Sequence, residues 1–127
     1  MGLSYASGTS SVPLIGQTIG DNLEDTVRRF GDREALVVVH EGKRWTYAQL
    51  NDDVDRVARL LLAMGLQVGD RLGIWAPNCS AWTMVQYATA KLGVILVNIN
   101  PAYRTHEVEY VLRQSDRKST RLNSSHT

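Results

Sequence analysis

Apolar and polar residues fall into blocks along the chain, and the best organised block is Asp70–Arg104. Arg71–Ala76 is a short apolar run suited to a buried strand, closed by the turn pair Pro77-Asn78. Ser80–Leu92 is apolar on most faces (Ala81, Trp82, Met84, Val85, Tyr87, Ala88, Leu92), the pattern of a helix buried between layers. Gly93 suits a left-handed helix cap, and Val94–Ile99 is a β-branched run stopped by Asn100-Pro101. Strand, helix and strand within about 30 residues predict a βαβ unit with its strands parallel.

The other blocks are helical or hairpin-like. Thr18 or Asp21 can cap a helix that carries Leu23, Val27 and Phe30 and is closed by Gly31. Ala35–His40 and Lys43–Tyr47 flank Glu41-Gly42, a hairpin signal. Thr46 to Gln49 has the form of a capping box opening a helix to about Met64. Its predicted buried stripe is Leu50, Val54, Val57, Leu61 and Met64, with Gly65 as the cap. Asp52, Asp53, Asp55, Arg56 and Arg59 read as a solvated, ion-paired face. After Pro101, Thr105 can cap a last helix carrying Val108, Val111 and Leu112. The predicted order is helix, hairpin, helix, strand, helix, strand, helix, an α/β arrangement with one mixed sheet flanked by helices. Residues 1–16, rich in Ser, Gly and Thr, read as a flexible leader or an arm packed elsewhere.

Composition narrows the class without naming a function. A chain of 127 residues is at most one domain. Its net charge of +1 offers no footprint for nucleic acid or an anionic membrane. Without residues 116–127, the 14 basic and 13 acidic groups fall to 11 and 12, and the body stands at −1. A single cysteine, Cys79, excludes an internal disulfide framework and fits a reducing compartment; it reads as structural. No secretory signal is expected in residues 1–12, and no apolar run approaches the roughly 18 residues of a membrane helix. Met1-Gly2 opens like a myristoylation site, but Ala6 stands where Ser or Thr is required. A cytoplasmic protein is the expectation.

Candidate chemistry is sparse. His40 and His106 have no ligand-spaced partner, so surface histidines are expected and not a metal site. Neither GxxxxGK[ST] nor GxGxxG occurs. Asp52-Asp53 is more simply a solvated helix face than an acid–base pair. Asn78-Cys79-Ser80 matches a glycosylation sequon, but a turn in which Asn78 or Ser80 caps the following helix is the better reading. Asn98, Asn100, Tyr103 and Arg104 follow the second strand, at the edge where open α/β sheets bind ligands. Ligand contact and ordinary turn chemistry are both open there.

Three segments together resemble a known family. Trp45-Thr46-Tyr47-Ala48-Gln49-Leu50 resembles the opening [WL]-T-Y-x-[EQ]-L motif of adenylate-forming enzymes. Gly65–Leu72 followed by Trp75-Ala76-Pro77-Asn78 resembles their next segment, and Lys91–Pro101 their K-x-G motif ending in proline. The segments cover roughly residues 20–115 in the family's order and spacing. Asn98-Ile99-Asn100-Pro101-Ala102-Tyr103-Arg104 is most similar to fatty-acyl-CoA synthetases. The resemblance implies the N-terminal part of the large layered αβ domain of a two-step ligase. In such enzymes a carboxylate attacks the α-phosphate of ATP to give an acyl-adenylate, and coenzyme A then displaces AMP to form the thioester. ATP, Mg²⁺, CoA and a small carboxylic acid are the implied partners of the parent. The family's phosphate loop, its acidic and ribose-binding groups and its C-terminal lysine have no counterpart here. No catalytic, cofactor-binding or metal residue is therefore assigned, and the piece is expected to be inactive alone. An aryl-CoA ligase and a non-catalytic α/β binding module are the rival expectations.

The resemblance stops at Ser115, so residues 17–115 are expected to form the family portion. Asp116–His126 coincides with one reading frame of a common short-read sequencing adapter. Residues 116–127 are accordingly expected to be adapter read-through; a disordered polar tail is the other reading their composition allows.

Overall fold

The structure, a computed structural model, describes residues 8 and 10–114 and, in backbone, residues 119–122. The βαβ unit stands where the pattern predicts it. Strand β3 (Arg71–Trp75), helix α3 (Ser80–Leu92) and strand β4 (Ile95–Ile99) follow in order, and the strands pair parallel from Arg71↔Ile95 to Trp75↔Ile99. Gly93 caps α3 at φ 73°, a left-handed conformation that costs glycine little. Side chains alternate across the sheet. Leu72 and Ile74 turn to one face, fully buried, with Leu96 packed against the same core. Gly73 belongs to the other face, where helix α4 (Thr105–Gln114) lies: a Cβ built on Gly73 would stand 3.1 Å from Ile99 Cδ1 and 3.8 Å from Leu112 Cδ2.

Two further helices cover the Leu72 face. Helix α2 (Tyr47–Ala63) opens with the expected capping box, in which Gln49 N–H donates to Thr46 Oγ1 and Thr46 N–H to Gln49 Oε1. Its buried face is Leu50, Asn51, Val54, Ala58 and Leu61. Met64, expected in that stripe, is 52% exposed: the helix ends at Ala63, and Met64 is its cap. Helix α1 (Ile19–Phe30) is capped by Thr18, whose hydroxyl accepts from Asp21 N–H, and it buries Leu23. Gly31 closes it as expected, in a right-handed conformation (φ −50°). Space explains that glycine, because a Cβ there would meet the Val27 carbonyl oxygen at 2.9 Å.

The single mixed sheet is corrected to two sheets. Strands β1 (Glu34–Val38) and β2 (Lys43–Thr46) form a separate antiparallel hairpin that packs on α2. Its connection is also longer than the two-residue turn expected. Val38 pairs with Lys43, and a 3-10 turn, Val39–Glu41, precedes Gly42 at φ 64°. Trp45 ties the hairpin down by donating its indole N–H to Asp53 Oδ2 at 2.9 Å.

Of the leader, residues 10–16 are exposed and form neither helix nor strand, while 1–7 and 9 lie outside the described residues. At the other end, strand β5 (Ser119–Leu122) pairs parallel with β3 on the side away from β4, giving the order β4-β3-β5. Of the expected tail, only residues 119–122 are described, and they form this strand. An open parallel edge offers main-chain groups that pair with a neighbouring segment whatever its side chains, so this strand does not bear on how residues 116–127 are encoded. Residues 115–118 and 123–127 lie outside the described residues.

Candidate functional site

Ligands of open α/β sheets bind beyond the carboxyl ends of the strands. Here β3 runs out into Ala76–Cys79 and β4 into Asn100–Arg104. A cleft of about 620 Å³ lies elsewhere, at the opposite ends of the strands, whereas the carboxyl edge carries one of about 470 Å³ lined by Trp75, Thr105, Val108, Glu109 and Leu112. The four residues singled out at this edge do not line it. Asn100 closes a turn: its Oδ1 accepts from Ala102 N–H and its carbonyl from Tyr103 N–H. Arg104 opens α4, its N–H donating to Glu107 Oε2 and its carbonyl accepting from Glu107 and Val108. Asn98 and Tyr103 are exposed. For Asn100 and Arg104 the main chain follows the turn-chemistry reading.

The amino terminus of α3 also faces this edge, and it is already filled. The N-cap residue is Cys79, without a side-chain cap bond, so the expected capping by Asn78 or Ser80 is corrected. Glu41 caps instead. Its Oε2 accepts from Ser80 N–H at 2.8 Å and its Oε1 from Ser80 Oγ–H at 2.6 Å. The Ser80 hydroxyl bond, then the Ser80 backbone bond, hold the Glu41 carboxyl below its usual range. A free helix terminus in this position attracts phosphate; here a carboxylate occupies it and would repel one. Sequence reasoning missed the contact because it read Glu41 as a turn residue. His40 lies beside it, Nε2 3.8 Å from Glu41 Oε2, and His106 is exposed in the first turn of α4. Among the described residues no group of three or more His, Cys, Asp or Glu could hold a metal ion.

The second polar centre joins three helices at the other end of the sheet. Lys91, in the last turn of α3, is 13% exposed in its side chain. Its Nζ donates to Glu24 Oε1 of α1 at 2.5 Å, and to Asn51 Oδ1 and Asp55 Oδ1 of α2 at 2.5 and 2.7 Å. Burial works against the ammonium, but the hydrogen bonds and charges of Asp55 and Glu24 outweigh it and raise its pKa above the ordinary 10.5. An ammonium has three N–H donors, and all three are used. Lys91 is thus a structural tie with no donor left for a ligand, although it borders the larger cleft with Thr18, Asp21 and Val68. Asp55, expected on a solvated face, is drawn into this tie; Asp53 keeps the expected surface pairing with Arg56.

Residues 23–120 match the profile of a family described as AMP-binding enzyme. Over 113 residues the chain is 52% identical to the mitochondrial medium-chain acyl-CoA ligase ACSF2 of Rattus norvegicus, a stretch covering 89% of this chain and 18% of that protein. The N-terminal domain of FACL13 from Mycobacterium tuberculosis superposes with a TM-score of 0.79 at 32% identity, over 84% of this chain and 26% of that one. The N-terminal subdomain of NpsA from Klebsiella oxytoca shares the fold alone, with a TM-score of 0.79 at 22% identity over 87% of this chain and 28% of that one.

Proposed function

The chain belongs to the AMP-binding enzyme family, and on that premise we propose that it is the scaffold portion of an ATP-dependent ligase joining a fatty acid to coenzyme A. The 52% identity with a medium-chain acyl-CoA ligase carries the substrate class. The chain spans 18% of that relative's length, so the reaction is proposed for the parent and not for these residues. ATP, Mg²⁺ and CoA would be the parent's reactants. The residues described here do not fit them, because Glu41 fills the α3 terminus, Lys91 has no spare donor, and no carboxylate cluster stands ready for a cation. No step of the reaction is assigned to them, and the chain alone is proposed to be inactive. Asn98–Arg104 keeps the family's acyl-CoA synthetase form, with turns from Asn100 on, and this likeness favours a fatty acid over an aromatic one.

Acid-dependent exchange of pyrophosphate into ATP tests the proposal. The parent should catalyse exchange with medium-chain fatty acids, and the 127-residue chain should not. Exchange by the chain alone would overturn the scaffold assignment. Preference of the parent for aromatic acids would make it an aryl-CoA ligase, and a parent inert toward every acid would favour a binding module. No helix among the described residues is long and apolar enough to cross a membrane. The lone cysteine supports a reducing compartment, and the cytoplasmic placement proposed is checked by fractionating cells that express the tagged parent.

A further inference from the structure

Through Ser115 the sequence holds nine arginines and two lysines, Lys43 and Lys91. Lys91 is a lysine that geometry requires. Three acceptors from two helices, Glu24 Oε1, Asn51 Oδ1 and Asp55 Oδ1, converge on its single nitrogen. A tetrahedral ammonium offers three donors from one point, whereas a guanidinium spreads its donors in a planar fork. Arginine therefore does not fit, and an amine stays at the centre of the three-helix joint. Its main chain is equally confined, since a Cβ on Gly20 of α1 would stand 3.3 Å from Lys91 Cα. An amine is also a nucleophile toward acyl thioesters, the product class of the reaction proposed above, and the inference rests on that reading. Attack needs the neutral amine. Its lone pair forms the C–N bond, the C–S bond breaks to release the CoA thiolate, and the surplus proton on nitrogen passes to solvent. The amide left behind has no charge and one N–H, so two of the three bonds of the tie could not be made.

We infer that Glu24 and Asp55 guard Lys91 against acylation by the thioester that the parent makes. Burial by itself works the other way on the proton, because removing an amine from water favours its neutral, nucleophilic form. The two carboxylates reverse that preference: each accepts from Nζ and holds the proton that must leave first. Glu24 reaches Nζ from α1 and Asp55 from α2, so the guard exists only once both helices have packed on α3. Asn51, the third acceptor, carries no charge and aligns the ammonium without guarding it.

Octanoyl-CoA added to the purified full-length parent, without ATP or free acid, tests this, with acylation of Lys91 read by peptide mass spectrometry. Lys91 should be acylated about tenfold or more slowly in the native parent than in the same protein unfolded in guanidinium chloride. Glu24→Gln with Asp55→Asn keeps the acceptor oxygens and removes both charges. That double variant should raise native acylation of Lys91 about tenfold, the effect of one pKa unit on the neutral amine. A native Lys91 acylated as fast as the unfolded one overturns the inference. So does a double variant that leaves the native rate unchanged, since burial would then be the shield. Should the double variant fail to fold, Glu24→Gln alone, at a side chain 44% exposed, provides the measurement, with the same direction expected and an unchanged rate overturning it. Because the thioester is supplied, a parent that fails pyrophosphate exchange leaves this result readable, and the two readings fail separately.

Discussion

The Glu41 carboxylate accepts both the main-chain and hydroxyl hydrogens of Ser80, 39 residues further along the chain. One side chain thereby caps α3 and fastens the hairpin connection to the βαβ unit. Both bonds favour the ionised carboxyl, which sets the direction of a pH effect. Because the folded-state pKa is lowered, the stabilisation is present above the ordinary value of 4.5 and is lost as pH falls through the folded value. Glu41→Gln should lower the thermal midpoint at neutral pH and flatten its dependence below pH 4.5. Melts from pH 3 to 7 check this, and an unchanged acid slope would mean Glu41 carries none of it.

Lys91→Met should cost about 1–3 kcal/mol at neutral pH, since it strands buried Asn51 and leaves Glu24 and Asp55 unpaired. The lower part of that range applies if the two carboxylates, 44% and 39% exposed in their side chains, are well rehydrated. The raised lysine pKa gives the opposite pH sign to Glu41. Its contribution is complete below 10.5 and is lost as pH rises through the folded value. Urea titrations at pH 7 and pH 11 should show a smaller gap between the wild-type and Met variants at the higher pH.

Leu72→Ala and Met64→Ala separate the observed core from the expected one. Leu72 is fully buried, so its truncation should cost about 2–5 kcal/mol. Met64, half-exposed beyond the end of α2, should lose less than about 1 kcal/mol. Equal losses in denaturant would return Met64 to the core.

Gly93→Ala should cost about 1–2 kcal/mol because alanine must adopt φ 73° there. The neighbour that its Cβ would meet, Val68 Cγ1 at 3.2 Å, belongs to an exposed side chain that can yield. Backbone conformation should therefore dominate, and Gly93→Asn should be the milder change by chemical denaturation.

The features legible in the sequence are those whose causes lie close together in it. The bounds of α3 follow from an apolar block between Pro77-Asn78 and Gly93, and the capping box from two residues three positions apart. Glu41 with Ser80, and Lys91 with Glu24, Asn51 and Asp55, are partners 36 to 67 residues apart, and no local pattern announces them. Periodicity likewise shows that Asp55 leaves the apolar stripe of α2, but not that a lysine of another helix waits there. Strand propensity marked Ala35–His40 and Val94–Ile99 alike, and only packing separates them into two sheets. Glycine 31 invited a conformational explanation because α-helices often end on one, whereas the cause is the Val27 carbonyl. At the carboxyl edge the residue types at Asn100 and Arg104 left contact and turn chemistry both open, and their main-chain hydrogen bonds are those of a turn.

Gly73 gives the middle strand a spacer of zero thickness. With only hydrogen at its centre, Ile99 and Leu112 settle onto the strand, and α4 rests as near the sheet as those side chains permit. The same helix supplies Thr105, Val108, Glu109 and Leu112 to the cleft at the carboxyl edge, with Trp75 of the strand as the facing wall. A single methyl group added at position 73 would meet Leu112 of α4 at ordinary contact distance, 3.8 Å, but press on Ile99 Cδ1 at 3.1 Å, so the side chain of the neighbouring strand must give way before the helix does.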